Sequence, residues 1–132
     1  MARMGFALVG VAIPAAALDL AHKAGTDAQY FHVRSPAYVV LALVLASLWA
    51  GAILATGSLS IALGGGVVAG GAIGNVVSLT LWPGVPNPIE LEAIAFNLAD
   101  LFVVGGFLLT AGATLVFALR NRERLGEPVR LR

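Results

Sequence analysis

Cysteine is absent from all 132 residues, and only 11% of the side chains carry charge. The first absence removes disulfides, a thiol nucleophile and any acceptor for thioether lipidation. The second, combined with 59% hydrophobic side chains and a mean hydropathy of +0.92, excludes a soluble domain of this size. Metal-ligand spacing is lacking too: His22 and His32, the two histidines, fit no zinc pattern. The glycine-rich run before Asn75 has neither the lysine nor the preceding strand of a phosphate-binding loop. No metal and no cofactor are therefore expected, and nothing in the chain asks for nucleic acid as a partner.

What is present is a set of long apolar runs. A spanning helix needs about 20 mostly apolar residues, and four stretches qualify, at residues 4–21, 36–56, 58–82 and 94–119. The expected architecture is an all-α membrane protein, a four-helix transmembrane bundle in one domain covering residues 1–132, with a basic tail at 120–132. Arg120, Arg122, Arg124, Arg130 and Arg132 crowd that tail and Arg3 precedes the first run, whereas the loop between runs three and four holds Glu90 and Glu92 without a basic residue. By the positive-inside rule both termini are cytoplasmic, and the loops after runs one and three face outward. Lys23 and Arg34 stand on the outward side against this trend. Arg3 and the small residues Ala15 to Ala17 also suggest a cleavable leader, but Asp19 and the lack of a following soluble domain favour a retained span.

Small residues recur at four-residue steps in run two (Ser47, Gly51, Ala55) and in run three (Gly66, Gly70, Gly74). Such stripes let helices approach closely, so both are expected to be packing faces. Asp19 and Lys23 are four apart, acid first, and form a pair on one helix face near the outer boundary. The polar residues then gather around loop three: Asn75 and Ser78 near the end of run three, Pro83, Pro86 and Pro88 in the connector, and Asn97 and Asp100 at the start of run four. A carboxylate within an apolar run faces protein or water and is a functional-site candidate. An interhelical hydrogen-bond cluster is the competing explanation for Asn75, Asn97 and Asp100.

Gly70-Gly71-Ala72-Ile73-Gly74-Asn75 and Phe96-Asn97-Leu98-Ala99-Asp100 resemble the two signature stretches of the lipoprotein signal peptidases, signal peptidase II, and Asp19-Leu20-Ala21-His22-Lys23 is similar to that family's first-helix pattern. The resemblance implies a four-span protein of the bacterial inner membrane, with both termini cytoplasmic and the site facing the extracytoplasmic side. It implies an aspartic endopeptidase in which two aspartates activate a water and cut the signal peptide from diacylglyceryl-modified prolipoproteins. Asp100 then corresponds to the second catalytic aspartate, Asn97 to its companion asparagine, and Asn75 to the asparagine near the outer end of the family's third span. Asp19 and Lys23 join Asn75 and Asn97 as substrate-binding candidates. Membrane lipids and a lipidated prolipoprotein or its signal peptide are the implied partners.

The chain departs from that pattern where chemistry is most sensitive. Ser78 and Leu79 stand where the family carries an Asp-Arg pair, and Asn87 aligns with its first catalytic aspartate. An aspartic dyad works because two nearby carboxyl groups share one proton, one serving as base and the other as acid. Asn87 does neither. Glu90 and Glu92 in the same loop, and Asp19 from the first span, are the candidates for a substitute carboxylate. The expectation is thus a signal peptidase II-like protein with impaired catalysis. The alternative is a non-catalytic subunit that binds lipid or signal peptide beside another membrane protein. A third possibility, a transport component with Asp100 as its ion site, requires polar groups across the whole bilayer, and here they cluster at one end.

Overall fold

The computed structural model describes residues 2–125. Its elements run α1 (Ala2–Ala24), β1 (Phe31–His32), α2 (Pro36–Ala55), α3 (Leu59–Leu81), β2 (Val85–Pro86), β3 (Ile89–Leu91), β4 (Ile94–Phe96), α4 (Leu98–Arg120) and α5 (Arg122–Leu125). Helices α1 to α4 are each long and apolar enough to cross a membrane, and the protein is an all-α, multi-pass membrane protein. Arg130 and Arg132 of the basic tail lie outside the described residues.

Helix α3 is the centre of the bundle, packing along α1 and α4 and more lightly on α2. Glycine makes this possible. Gly66 and Gly70 lie directly on the α1 backbone: a methyl group at Gly70 would stand 2.6 Å from the Ala15 Cβ and 2.7 Å from the Ala12 carbonyl oxygen. On the opposite side Gly71 abuts Ala99, and Gly64 abuts Thr110, both on α4. Without water to drive burial, close packing and interhelical hydrogen bonds hold such helices together. Overpacking typically costs 1–3 kcal/mol, so Gly70→Ala is expected to destabilise the bundle by about that amount. Thermal unfolding in detergent micelles checks it, with Gly105→Ala as control, because a methyl there meets nothing within 4 Å.

The stripe in α2 does not behave like the one in α3. Ser47, Gly51 and Ala55 all face outward, and the Ser47 hydroxyl donates to the Leu43 carbonyl of its own helix at 2.8 Å. Helix α2 instead touches the bundle through Ile53, which fills the space over Gly65, and through Trp49, whose ring is 4.8 Å from that of Phe107 on α4. A large side chain meeting a glycine replaces the expected small-on-small contact.

The fourth span also starts later than hydropathy suggests. Residues 94–96 form β4, which pairs antiparallel with β3 (Ile89↔Phe96, Glu90↔Ala95, Leu91↔Ile94) in a hairpin. Glu92 takes a positive φ of 39° in its turn. Helix α4 begins only after Asn97, whose side chain accepts from the Asp100 N–H while the Asp100 carboxylate accepts from the Asn97 N–H. This reciprocal capping box satisfies two donors that a helix start otherwise leaves free. Asn97 and Asp100 are thus the cap and the third residue of α4 rather than residues inside the span. A second short pairing, Phe31↔Pro86 and His32↔Val85, ties the loop after α1 to the loop after α3.

Candidate functional site

Lys23, Asp19, Asn75 and Ser78 stitch the helices together beneath these loops. The Lys23 ammonium at the end of α1 donates to Asp19 Oδ2 at 2.7 Å, to Asn75 Oδ1 at 2.9 Å and to Ser78 Oγ at 3.0 Å. All three of its protons are used. Asp19 turns its other oxygen, Oδ1, to the Ala99 N–H in the first turn of α4 at 2.8 Å. A carboxylate at a helix N-terminus satisfies free amide donors and the positive end of the helix dipole. Asp19 and Lys23 are fully buried, 0% and 2% exposed, and the lining of the large cavity described below includes neither. In this geometry they are placed within the framework between the helices and not on the wall of that cavity. Gly74 leaves the room Asp19 occupies, since a methyl there would press on its carboxylate.

From this framework the hydrogen bonds continue toward the cavity. Asn75 accepts from Lys23 through Oδ1, so its Nδ2 faces the other way and donates to Asp100 Oδ1 at 3.2 Å. Asp100 Oδ2 accepts the Asn97 N–H at 3.2 Å. Both oxygens of Asp100 thus meet donors. Asn97, 1% exposed, donates through Nδ2 to Asn87 Oδ1 at 2.7 Å and to the Pro86 carbonyl at 3.3 Å. Asn87, also 1% exposed, contacts His32 Nδ1 through its Nδ2 at 2.6 Å and donates to the Ala95 carbonyl at 3.3 Å. Its backbone N–H is bonded to the Tyr30 carbonyl at 2.9 Å.

These groups close the polar end of a cavity of about 620 Å³ between α2, α3 and α4. Asn75, Asn87, Asn97, Asp100 and His32 line that end, with Arg34 and Tyr38 beside them. The Arg34 guanidinium lies 4.7 Å from the centre of the Tyr38 ring. Leu45, Trp49, Val68, Val104 and Phe107 line the rest. The site is amphipathic: one carboxylate and three amides at its head, hydrocarbon along its body. A pocket of this shape takes a ligand with a polar junction and an apolar tail.

Glu90 and Glu92 are not brought to Asp100. Both are exposed on the β3–β4 hairpin, where they border a second cavity with Tyr30, Phe31, His32 and Ile94. Pairing of Glu90 with Ala95 and the turn at Glu92 hold them in that hairpin, so in this geometry they border the second cavity and not the one that Asp100 lines. Among the described residues, Asp100 is the one carboxylate that lines the large cavity.

Sequence reasoning singled out Asp100, Asn75, Asn87 and Asn97, and these do come together. It gave no role to His32, Arg34 or Tyr38. A signal existed: Tyr30-Phe31-His32-Val33 is rich in aromatic and β-branched residues and reads as a short strand, and a strand in the first loop needs an edge to pair with. Among the described residues no group of three or more histidine, cysteine or acidic side chains is placed to hold a metal ion.

A family model described as "Signal peptidase (SPase) II" matches residues 3–116. No curated protein matches the sequence.

Proposed function

Because the chain belongs to the signal peptidase II family, we propose that the large cavity receives the junction of a lipid-modified prolipoprotein and that Asp100 hydrolyses it slowly, as a single carboxylate. The observation that carries this reading is the lining: one acid, oriented by two donors, at the head of an apolar groove. The family supports a lipoprotein signal peptidase-like function, and the groove offers hydrocarbon to the apolar part of such a substrate. In this reading the polar head faces the extracytoplasmic side of a bacterial inner membrane, and the positive-inside distribution of arginines supports that sidedness.

The chemistry follows from the donor set. Asp100 takes a proton from water while the water oxygen bonds to the scissile carbonyl carbon. As the C–N bond breaks, the same carboxyl group returns that proton to the leaving nitrogen. The signal peptide departs with a new carboxyl terminus, and the lipidated fragment keeps a free amine. Asn75 and Asn97 hold the carboxylate in place, and Asn75 is itself held by Lys23. Asn87 cannot ionise, so the contribution of a second acid–base group, typically 10²- to 10⁴-fold, is missing. Slow turnover with intact binding is the result.

Purified protein incubated with a lipidated prolipoprotein is expected to release signal peptide slowly, and Asp100→Asn is expected to reduce release to background. Crosslinking of the substrate should persist in that variant, because the apolar groove is untouched. Release that is unchanged in Asp100→Asn, or a wild type that neither cleaves nor captures the substrate, would overturn the proposal. Capture without cleavage would favour the non-catalytic subunit instead.

A further inference from the structure

We infer that His32 is the electrophile of this site: a neutral imidazole, protonated on Nε2, that donates a hydrogen bond to the carbonyl oxygen of the scissile peptide where a second carboxyl group would otherwise act. The inference rests on the reading that this cavity holds a peptide bond beside Asp100. It goes beyond that reading by naming the group that receives the charge.

The tautomer follows from backbone atoms that each have only one role. The Asp100 N–H can only donate, so the atom of Asn97 that meets it at 3.1 Å is Oδ1. Nδ2 is then the other end of Asn97, in agreement with the Pro86 carbonyl, an acceptor, at 3.3 Å. Asn87 must receive that amide through Oδ1 at 2.7 Å, which turns its own Nδ2 toward the Ala95 carbonyl, a second obligatory acceptor, at 3.3 Å. The same Nδ2 meets His32 Nδ1 at 2.6 Å. An amide nitrogen has protons to give and no lone pair to offer, so His32 Nδ1 accepts. The neutral ring therefore carries its proton on Nε2. An imidazolium would set two donors against each other at this contact. Glu90, Glu92, Arg34 and Asp100 are the other charged groups around the two cavities that His32 borders.

The segment that carries the ring is also held in place. His32 pairs with Val85 in the short antiparallel ladder, and the bond from Asn87 N–H to the Tyr30 carbonyl at 2.9 Å anchors the same segment. Gly84 lets the two backbones approach, because a methyl there would stand 3.0 Å from the His32 carbonyl oxygen. His32 lines the large cavity together with Asp100.

The division of labour balances. When the water oxygen bonds to the carbonyl carbon and Asp100 takes the proton, negative charge develops on the carbonyl oxygen, and the Nε2–H of His32 donates to it. No proton leaves His32. Asp100 then protonates the leaving nitrogen as the C–N bond breaks and the carbonyl re-forms. A neutral imidazole polarising a carbonyl is an established catalytic arrangement, and one well-aimed donor of this kind contributes about 10²- to 10³-fold to kcat. In this scheme Asn87 is a positioning residue: its amide presents the NH₂ group that keeps Nδ1 bare.

Two measurements test this. In ¹⁵N-histidine-labelled protein in micelles, with His22→Gln removing the second imidazole, the His32 resonances should report a protonated Nε2 and a bare Nδ1. Asn87→Asp should move the proton to Nδ1 or protonate both nitrogens. In cleavage assays His32→Ala is expected to lower kcat about 10²-fold with KM little changed, and His32→Gln, whose amide can donate, to recover part of that loss. Crosslinking of the substrate at wild-type levels reports that the variants are folded. A wild-type ring protonated on Nδ1, or Asp100-dependent cleavage indifferent to His32→Ala, overturns the electrophile alone. Absence of any Asp100-dependent cleavage removes the peptidase reading and the electrophile with it.

Discussion

Asn87→Asp is expected to raise the rate of prolipoprotein cleavage by about 10²-fold or more, because under the proposed mechanism it supplies the proton-bearing partner that Asp100 lacks. The surroundings are prepared on one side only. Asn97 Nδ2, 2.7 Å from Asn87 Oδ1, would serve a carboxylate oxygen equally well. The other oxygen would meet the Ala95 carbonyl and His32 Nδ1, both acceptors at present. His32 resolves half of that conflict by taking a second proton on Nδ1 while keeping its Nε2–H, and a proton on the new carboxyl group, given to the Ala95 carbonyl, resolves the rest. The gain should therefore appear in kcat, with capture of the substrate unchanged, and should disappear in the Asn87→Asp, Asp100→Asn double variant. A rate no higher than wild type would mean that the substitution at this position is not what limits turnover.

Lys23→Met is expected to cost about 3–5 kcal/mol of stability, the range for breaking a buried ion pair by removing one partner. The pair is dry: Asp19 and Lys23 side chains are both 0% exposed at their 2.7 Å contact. Methionine removes the positive charge and leaves the Asp19 carboxylate facing one amide, from Ala99. It also frees Asn75 Oδ1 and Ser78 Oγ, which Lys23 now engages. The thermal unfolding midpoint in micelles, followed by the fluorescence of Trp49 and Trp82, should fall steeply. The Asp19→Asn, Lys23→Met double variant should recover much of the loss, because the uncompensated charge is gone. An unfolding midpoint equal to that of wild type would show that the pair is not part of the folded framework.

The two experiments separate groups that the sequence presents alike. Asp19, Lys23, Asn75, Asn97 and Asp100 are all polar residues at the ends of apolar runs, and one-dimensional spacing could place them at one end of the bundle but could not sort them. The spans were legible because a lipid environment demands long apolar helices, and the glycine steps of α3 were legible because close approach requires small residues. The similar steps in α2 misled. A small stripe becomes a packing face only if another helix arrives there, and α2 is held at Ile53 and Trp49 instead. The start of α4 was misplaced because hydropathy reports where apolar residues begin, whereas the helix begins where Asn97 and Asp100 can cap it. Glu90 and Glu92 seemed close to Asp100 along the chain, but a hairpin register turns them to another cavity. His32 was invisible as a partner of Asn87 because 55 positions separate them, and only the β1–β2 pairing closes that distance.

Asp19 lies in the first helix, yet one of its oxygens is satisfied by Ala99, 80 positions later. A ribosome feeding this chain into the membrane therefore delivers α1, α2 and α3 before the last amide of the framework exists. During that interval Lys23 can reach Asn75 and Ser78, but Asp19 Oδ1 lacks the Ala99 N–H, and the three-helix chain carries an unfinished charge at that end. Arrival of α4 both completes that bond and installs Asp100. Assembly of the bundle and creation of the acid site are the same event, so a truncated or stalled chain lacks the acid for as long as it lacks its final stabilising contact.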